Sequence, residues 1–185
     1  MKKLIILCIV TLFFTMSTFA YSYPRWKVSP IRVYIPKNQP YTALMYKAFN
    51  TWQQKSKNII RFKYVDRQNE SDIYVEFVDY VTDCGSESAV GCAHNATRNG
   101  FFTQSYIEIG TKDRPTMKVN SQGKFVKQVS TRSNDHLYGV MLHEIGHALG
   151  LEHSQSKNSI MYPIDLNELQ YLTDEDLKLI QEKYN

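Results

Sequence analysis

The 185-residue sequence is poor in the features that mark non-globular chains. It has only eight glycines and six prolines, and it contains no internal repeat or low-complexity tract. Its hydrophobic (43%) and charged (22%) fractions are ordinary, which excludes a disordered, collagenous or coiled-coil protein. The length fits one domain. The formal net charge is only +4, which argues against a nucleic-acid-binding or polybasic membrane-binding protein.

Residues 1–20 are predicted to form a secretory signal peptide. Two lysines precede an apolar run from Leu4 to Phe14, and small residues allow cleavage after Ala20. A membrane anchor is the alternative, but the run is shorter than the roughly 20 residues that a bilayer span needs. We therefore expect an exported mature chain without a membrane anchor, either secreted or held in the periplasm of a bacterium with two membranes.

Cysteine is scarce, and only Cys84 and Cys92 remain after the leader. An even count, an export signal and a short interval rich in glycine and serine favour a local disulfide. The alternative is a thiolate that binds a metal and keeps an enzyme latent. Nothing around either cysteine resembles a latency motif, so we favour the disulfide.

Hydrophobic periodicity predicts a mixed chain with a twisted sheet and a crossover helix. Alternation indicates strands at 31–35, 60–64, 73–77 and 106–109, and helical spacing indicates helices over 41–56 and 137–149 and from Thr173 onward. Residues 79–100 are expected to be irregular. Residues 111–133 are polar and basic, and a solvated loop or small hairpin around 120–123 is favoured over a substrate-steering role.

The segment HEIGHALGLEH, which begins at His143, contains a complete set of zinc ligands. His143 and His147 are four residues apart on a predicted helix, so their imidazoles point to one side and can share one ion. Glu144 would lie beside the metal, where a carboxylate can take a proton from water. Gly150 can end the helix in a left-handed turn that returns His153 to the same ion. Three histidines leave a fourth position open, as in catalytic sites.

The alternative is that these histidines are ordinary surface or core residues. Three of the five histidines fall within eleven residues, with glutamate and glycine where the chemistry needs them, so chance explains the pattern poorly. His94 and His136 fit no such spacing and are predicted to be structural or exposed.

The sequence SIMYP, residues 159–163, follows the third histidine. HExxHxxGxxH with a later methionine turn is the metzincin signature, and this form resembles the matrixin branch, the matrix metalloproteinases and their compact bacterial relatives. The resemblance extends over nearly all of residues 21–185. It implies an α+β zincin-like catalytic domain with a twisted, mostly parallel sheet, an antiparallel edge strand, two long helices and a C-terminal helix.

The resemblance also implies roles for residues around the histidines. Met161 would form an apolar floor beneath them, and Tyr162 and Pro163 would begin the wall of the pocket for the residue after the scissile bond. Tyr162 is not expected to bind zinc, because a proline follows it in the matrixin manner.

The function implied is that of a monomeric zinc endopeptidase with one catalytic zinc ion. A protein or peptide substrate would lie extended along an edge strand near Tyr106–Ile109. The family's HGD run and later histidines are missing, so a second structural zinc and calcium are not expected. A cysteine-switch propeptide is also not expected. A zinc-stabilised binding module without turnover, or a zinc hydrolase that cleaves other bonds, remain alternatives.

Overall fold

The computed structural model describes residues 24–82, 84–86, 88–164 and 170–185, and the predicted signal peptide lies outside them. In this part of the chain, no helix is both long and apolar enough to cross a bilayer. The elements in chain order are β1 (Ile31–Tyr34), α1 (Thr42–Lys55), β2 (Phe62–Tyr64), β3 (Ile73–Val78), β4 (Gly91–Arg98), β5 (Phe101–Gly110), β6 (Thr116–Val119), β7 (Phe125–Gln128), α2 (Asn134–Ala148) and α3 (Asp174–Tyr184), with a 3-10 turn at Gln68–Glu70.

Five strands form one sheet in the order β2-β1-β3-β5-β4. The first four strands of that order are parallel, and β4 pairs antiparallel with β5 at the edge. This arrangement, with two long helices and a shorter C-terminal one, confirms the predicted fold. The parallel strands need crossover connections, and α1 supplies the one between β1 and β2.

Two predictions about the edge of the sheet are wrong. Residues 79–100 include the strand β4, and Tyr106–Ile109 is not an edge because β5 lies between β3 and β4. The sequence of β4, GCAHNATR, lacks alternation and contains poor strand formers, so local propensity does not reveal it. A tight turn at Asn99 and Gly100, with φ of 53° and 77°, folds β4 onto β5, and this pairing sets its conformation.

The core lies between the helices and one face of the sheet. Helix α1 contributes Met45, Ala48, Phe49 and Trp52, all buried at helical spacing. The Trp52 indole donates a hydrogen bond to the Leu142 carbonyl oxygen at 3.0 Å, which ties α1 to the middle of α2. Helix α2 is buried along much of its length, so the residues that it carries are held in a packed setting.

The segment around Trp26 and helix α3 meet at the C-terminal end of α2. Trp26 Nε1 donates to the Ala148 carbonyl oxygen at 2.7 Å, and the Tyr184 hydroxyl donates to that of Leu149 at 2.9 Å. These bonds satisfy carbonyl groups that a helix end leaves without partners. The first described residues and α3 therefore brace the helix end just before Gly150.

Strands β6 and β7 pair only with each other, as a separate two-stranded antiparallel sheet. The predicted small hairpin around residues 120–123 is thereby confirmed. All eight residues of its strands are exposed.

Candidate metal centre

Helix α2 and the turn after it bring three histidines together. The ligand nitrogens of His143, His147 and His153 all lie within 4.8 Å of one another, and no other such group is found among the described residues. His143 and His147 are half-buried one helical turn apart, and their Nε2 atoms are 3.0 Å from each other. His153 is exposed, with its ring centroid 4.7 Å from that of His147.

The opposite ring nitrogens show how the first two imidazoles are oriented. Nδ1 of His143 lies 2.6 Å from the Ile160 carbonyl oxygen, and Nδ1 of His147 lies 2.8 Å from that of Leu151. A carbonyl oxygen can only accept, so each Nδ1 must carry the proton. Both Nε2 atoms are then acceptors and cannot hydrogen-bond to each other.

Two acceptor nitrogens at 3.0 Å repel each other unless a proton or a metal cation lies between them. In a tetrahedral site with Zn–N distances of about 2.0–2.1 Å, neighbouring ligand nitrogens lie about 3.3 Å apart. The separation and the Nδ1 contacts to carbonyl groups are the arrangement expected of zinc-binding histidines. The donor set thus fits a zinc ion.

A tight helix end places His153 beside the other two histidines. Gly150 has φ +87°, its amide donates to the His147 carbonyl oxygen, and the Leu151 amide donates to that of Gly146, each at 2.9 Å. This is a Schellman motif, which reverses the chain direction within two residues. A Cβ at position 150 would overlap the Pro24 carbonyl oxygen, so glycine is required both for its conformation and for space.

Met161 packs directly against α2, the helix that carries His143 and His147. Its side chain is fully buried, and its sulfur occupies the space that a Cβ of Gly146 would need. The Ser154 amide donates to the Met161 carbonyl oxygen at 2.9 Å, which links the His153 segment to the methionine turn. The absence of a side chain at Gly146 therefore lets the methionine approach the helix closely.

Asp176 in α3 is a supporting residue that sequence reasoning missed. Its Oδ1 accepts from the Ser159 hydroxyl at 2.5 Å, and its Oδ2 accepts from the Ile160 amide at 3.3 Å. The carbonyl of the same Ile160 accepts from His143, so α3 is connected to this histidine through a single residue. The only signal was the capping box that Thr173 and Asp176 form at the helix start.

Glu144 is buried in the wall of the site, against β4. A backbone hydrogen bond from Ala93 reaches its carboxylate, and a Cβ at Gly91 would lie 2.6 Å from its Cγ. Burial raises the pKa of the Glu144 carboxyl to about 8, and the bond from Ala93 partly opposes this. Burial also lowers the pKa of His147, which favours its neutral, metal-binding form.

The site opens into a cleft of about 840 Å³ that is bounded on one side by the segment before β4. A disulfide joins Cys84 to Cys92 across this rim. Tyr162 and Pro163 line the cleft on the side of the methionine turn. Ile164 lines it as well, and Asp165, the residue after it, lies outside the described residues.

The other two histidines lie away from this centre. His94 on β4 stacks on Tyr106, and its Nε2 is 3.6 Å from a carboxylate oxygen of Glu108. The Tyr106 hydroxyl donates to Glu76 and to Glu108. His136 lies in the first turn of α2.

The sequence of this chain is similar to those of several known proteins. A family model described as Matrixin matches residues 25–185. Matrix metalloproteinase-15 of Homo sapiens is 29% identical over 148 residues, which are 75% of this chain and 21% of that protein. Matrix metalloproteinase-B of Caenorhabditis elegans is 42% identical over 60 residues, 30% and 12% of the two chains. Macrophage metalloelastase of Oryctolagus cuniculus is 46% identical over 52 residues, which are 26% of this chain and 11% of that protein. The aligned part covers about a fifth or less of each relative.

Proposed function

The chain belongs to the matrixin family of metalloproteases, and on that premise we propose that it is a secreted zinc endopeptidase in which Glu144 is the general base. The observation that carries the proposal is the pair of acceptor nitrogens on His143 and His147, 3.0 Å apart. Together with His153 they would hold one zinc ion. Bound zinc would lower the pKa of a water molecule to about 7 and polarise the scissile carbonyl.

Glu144 is suited to move a proton between this water and the substrate. Its carboxyl group follows the first ligand in α2 and borders the cleft. The hydrogen bond from Ala93 favours the ionised carboxylate, and a zinc ion held by the neighbouring histidines would favour it further; this is the form that accepts a proton. Glu144 would accept a proton from the attacking water and deliver it to the leaving amine nitrogen.

The outer edge of β4 offers a place for an extended substrate. The Ala93 amide donates a hydrogen bond to Glu144, so the backbone of Ala93 faces the cleft rather than β5. Residues 91 and 95 share that edge, because antiparallel ladders alternate with a period of two. The Asn95 side chain donates to the His147 carbonyl oxygen at 2.9 Å, which holds the strand against the ligand helix. A peptide could therefore add to β4 through backbone hydrogen bonds.

Export of the domain is part of the same proposal. We propose that residues 1–20 are removed and that residues 21–185 fold outside the cytoplasm. The Cys84–Cys92 disulfide supports this, because such bonds persist in oxidising compartments. N-terminal sequencing of protein recovered from the culture medium or periplasm would test the cleavage site, and recovery only of uncleaved cytoplasmic protein would contradict it.

The decisive experiment compares Glu144→Gln with the unaltered chain, both as residues 21–185. A peptide library would be digested with and without a zinc chelator, and products would be identified by mass spectrometry. We expect chelator-sensitive cuts by the unaltered chain and a loss of about 10²–10⁴-fold in rate for Glu144→Gln. Glu182→Gln removes the same charge from an exposed position on α3 and should leave the rate unchanged.

Zinc content is measured on every variant, so that loss of metal is not mistaken for loss of the base. A Glu144→Gln protein that binds one zinc and still cleaves at nearly the normal rate would refute the assigned role. Zinc binding without any cuts by the unaltered chain would favour a binding module without turnover. Products of altered mass but intact backbone would favour a hydrolase of other bonds.

A further inference from the structure

The hairpin Thr116–Gln128, here called the basic hairpin, exposes large apolar side chains that no other part of the described structure covers. Phe125 is 73% exposed, Met117 63% and Val119 58%. Scattered exposed apolar residues are normal, but a cluster on one small element marks an interaction site. An isolated two-stranded hairpin is also only marginally stable in water, so a surface that covers it would stabilise it.

The strand register places these apolar side chains on one face. Val119 lies opposite Phe125, and Met117 lies opposite Lys127. Because side chains alternate between the two faces of a strand, all four belong to the same face. Lys118 and its partner Val126 lie on the other face. The face that carries Met117, Val119 and Phe125 is therefore an apolar patch, with Lys127 at its border.

The charge of the hairpin region is stronger than the chain's composition suggests. Residues 114–134 contain five lysines and arginines and no aspartate or glutamate. Since the whole chain nets only +4, the remaining residues together net −1. The small overall charge argues against a polybasic membrane-binding protein, but it does not reveal this local concentration of basic side chains.

The lysines of the hairpin are not neutralised within the described structure. No carboxylate in it lies within ion-pair distance of Lys118, Lys124 or Lys127. The base of the hairpin is tied down instead, because Arg132 donates to the carbonyl oxygens of Gly110 and Lys112. A fixed base therefore presents a tip with lysines and apolar side chains.

This combination favours one kind of partner. A soluble polyanion would need the lysines but would have no use for a phenylalanine, a methionine and a valine beside them. At a bilayer interface, apolar side chains enter the boundary with the acyl chains while lysines extend to the phosphate groups. Anionic lipids attract such lysines further. The described residues that line the cleft do not include the hairpin, so membrane contact would leave the cleft open.

We propose that the basic hairpin is a peripheral membrane-docking element that binds bilayers containing anionic lipid. The attachment is reversible, because it uses a few side chains rather than a membrane span. It would hold the cleft near a membrane surface and so select proteins at that surface. This inference does not depend on the proposed peptidase activity.

The test measures binding of zinc-loaded residues 21–185 to lipid vesicles by sedimentation. Vesicles contain either phosphatidylcholine alone or a mixture with 30% phosphatidylglycerol. We expect binding to the mixture that is at least tenfold tighter than to phosphatidylcholine alone. Each basic residue near an anionic surface contributes about fivefold, so K118Q/K124Q/K127Q should weaken binding roughly a hundredfold. The matched control K55Q/K63Q/K157Q removes equal charge from exposed positions elsewhere and should bind like the unaltered chain.

Phe125→Ser separates insertion from simple charge attraction. This change keeps every lysine, and it should weaken vesicle binding about tenfold because the ring no longer enters the interface. Circular dichroism checks that each variant is folded, and the substituted side chains are exposed, so we expect no loss of fold. No vesicle binding, equal binding to both lipid mixtures, or full binding by the triple lysine variant would overturn the proposal. A different result would indicate that the hairpin binds soluble polyanions instead. In that case binding to vesicles and to heparin would both depend on the lysines, and Phe125→Ser would change neither.

Discussion

Replacing Gly146 by alanine tests how the methionine turn packs below the ligand helix. A Cβ at this position would overlap the Met161 sulfur and would also lie 3.2 Å from its Cε and 3.3 Å from Cζ2 of Trp52. Both neighbours are fully buried and cannot move into solvent. The added methyl group must therefore displace Met161 or push α2 away from it.

Two effects of opposite sign decide the result. Alanine in place of glycine in a helix interior stabilises by about 1 kcal/mol. Overpacking of a filled core costs about 1–3 kcal/mol, and an overlap with sulfur places this site at the upper end. We expect a net loss of about 1–2 kcal/mol in the free energy of unfolding. For a chain of this size that lowers Tm by about 2–8 °C.

The assay is thermal unfolding of the zinc-loaded protein, followed by circular dichroism, in a double-mutant cycle. Met161→Ala alone should cost about 2–5 kcal/mol, because it leaves a cavity. In that background the sulfur is gone, so adding Gly146→Ala should be neutral or stabilising. The two changes should therefore couple by about 2 kcal/mol, as expected for residues in contact.

Either of two outcomes would refute this reasoning. If Gly146→Ala alone raises Tm, the gain in helix propensity outweighs the overlap, and the packing between Met161 and α2 leaves room for a methyl group. If Gly146→Ala has the same effect with and without Met161, the methionine is not what limits space at position 146.

The remaining predictions concern three other supports of the site. Asp176→Asn keeps the shape but removes the charge that holds the methionine turn; it should cost about 1.5–3 kcal/mol in urea unfolding, and unchanged stability would contradict it. Gly91→Ala should lower the rate of peptide cleavage at least tenfold, at constant zinc content, because it displaces Glu144; a normal rate would show that β4 yields instead. Breaking the disulfide with Cys84→Ser and Cys92→Ser should cost about 2–3 kcal/mol, as expected for a short loop, and equal urea midpoints would argue against that.

The contacts that sequence reasoning missed are those between segments distant in the chain. Asp176 lies in the first turn of α3, yet it bonds to the methionine turn 16 and 17 residues earlier. Trp26 lies in a lead-in segment with no periodic pattern, yet it reaches the last turn of α2, 122 residues later. A local window of sequence contains no information on such partners.

The edge strand shows the same limit at the level of secondary structure. Strand β4 has no alternation and few strand-forming residues, and its conformation comes from pairing with β5. The erroneous assignment of Tyr106–Ile109 as the edge followed directly from overlooking it. The apolar face of the basic hairpin was hidden in a similar way, because only the register shows which side chains share a face.

What the sequence determined by itself was which residues meet at the candidate metal centre. The spacing of His143 and His147 is one helical turn, and Gly150 takes the left-handed conformation that returns His153, so short-range geometry is enough to bring the three histidines together. Only the tertiary structure decided what surrounds them: the strand that borders Glu144, the carboxylate that anchors the methionine turn, and the surface that the hairpin exposes. The physical reason is that bond geometry and helix periodicity act over a few residues, whereas packing and strand pairing join residues that are distant in the chain.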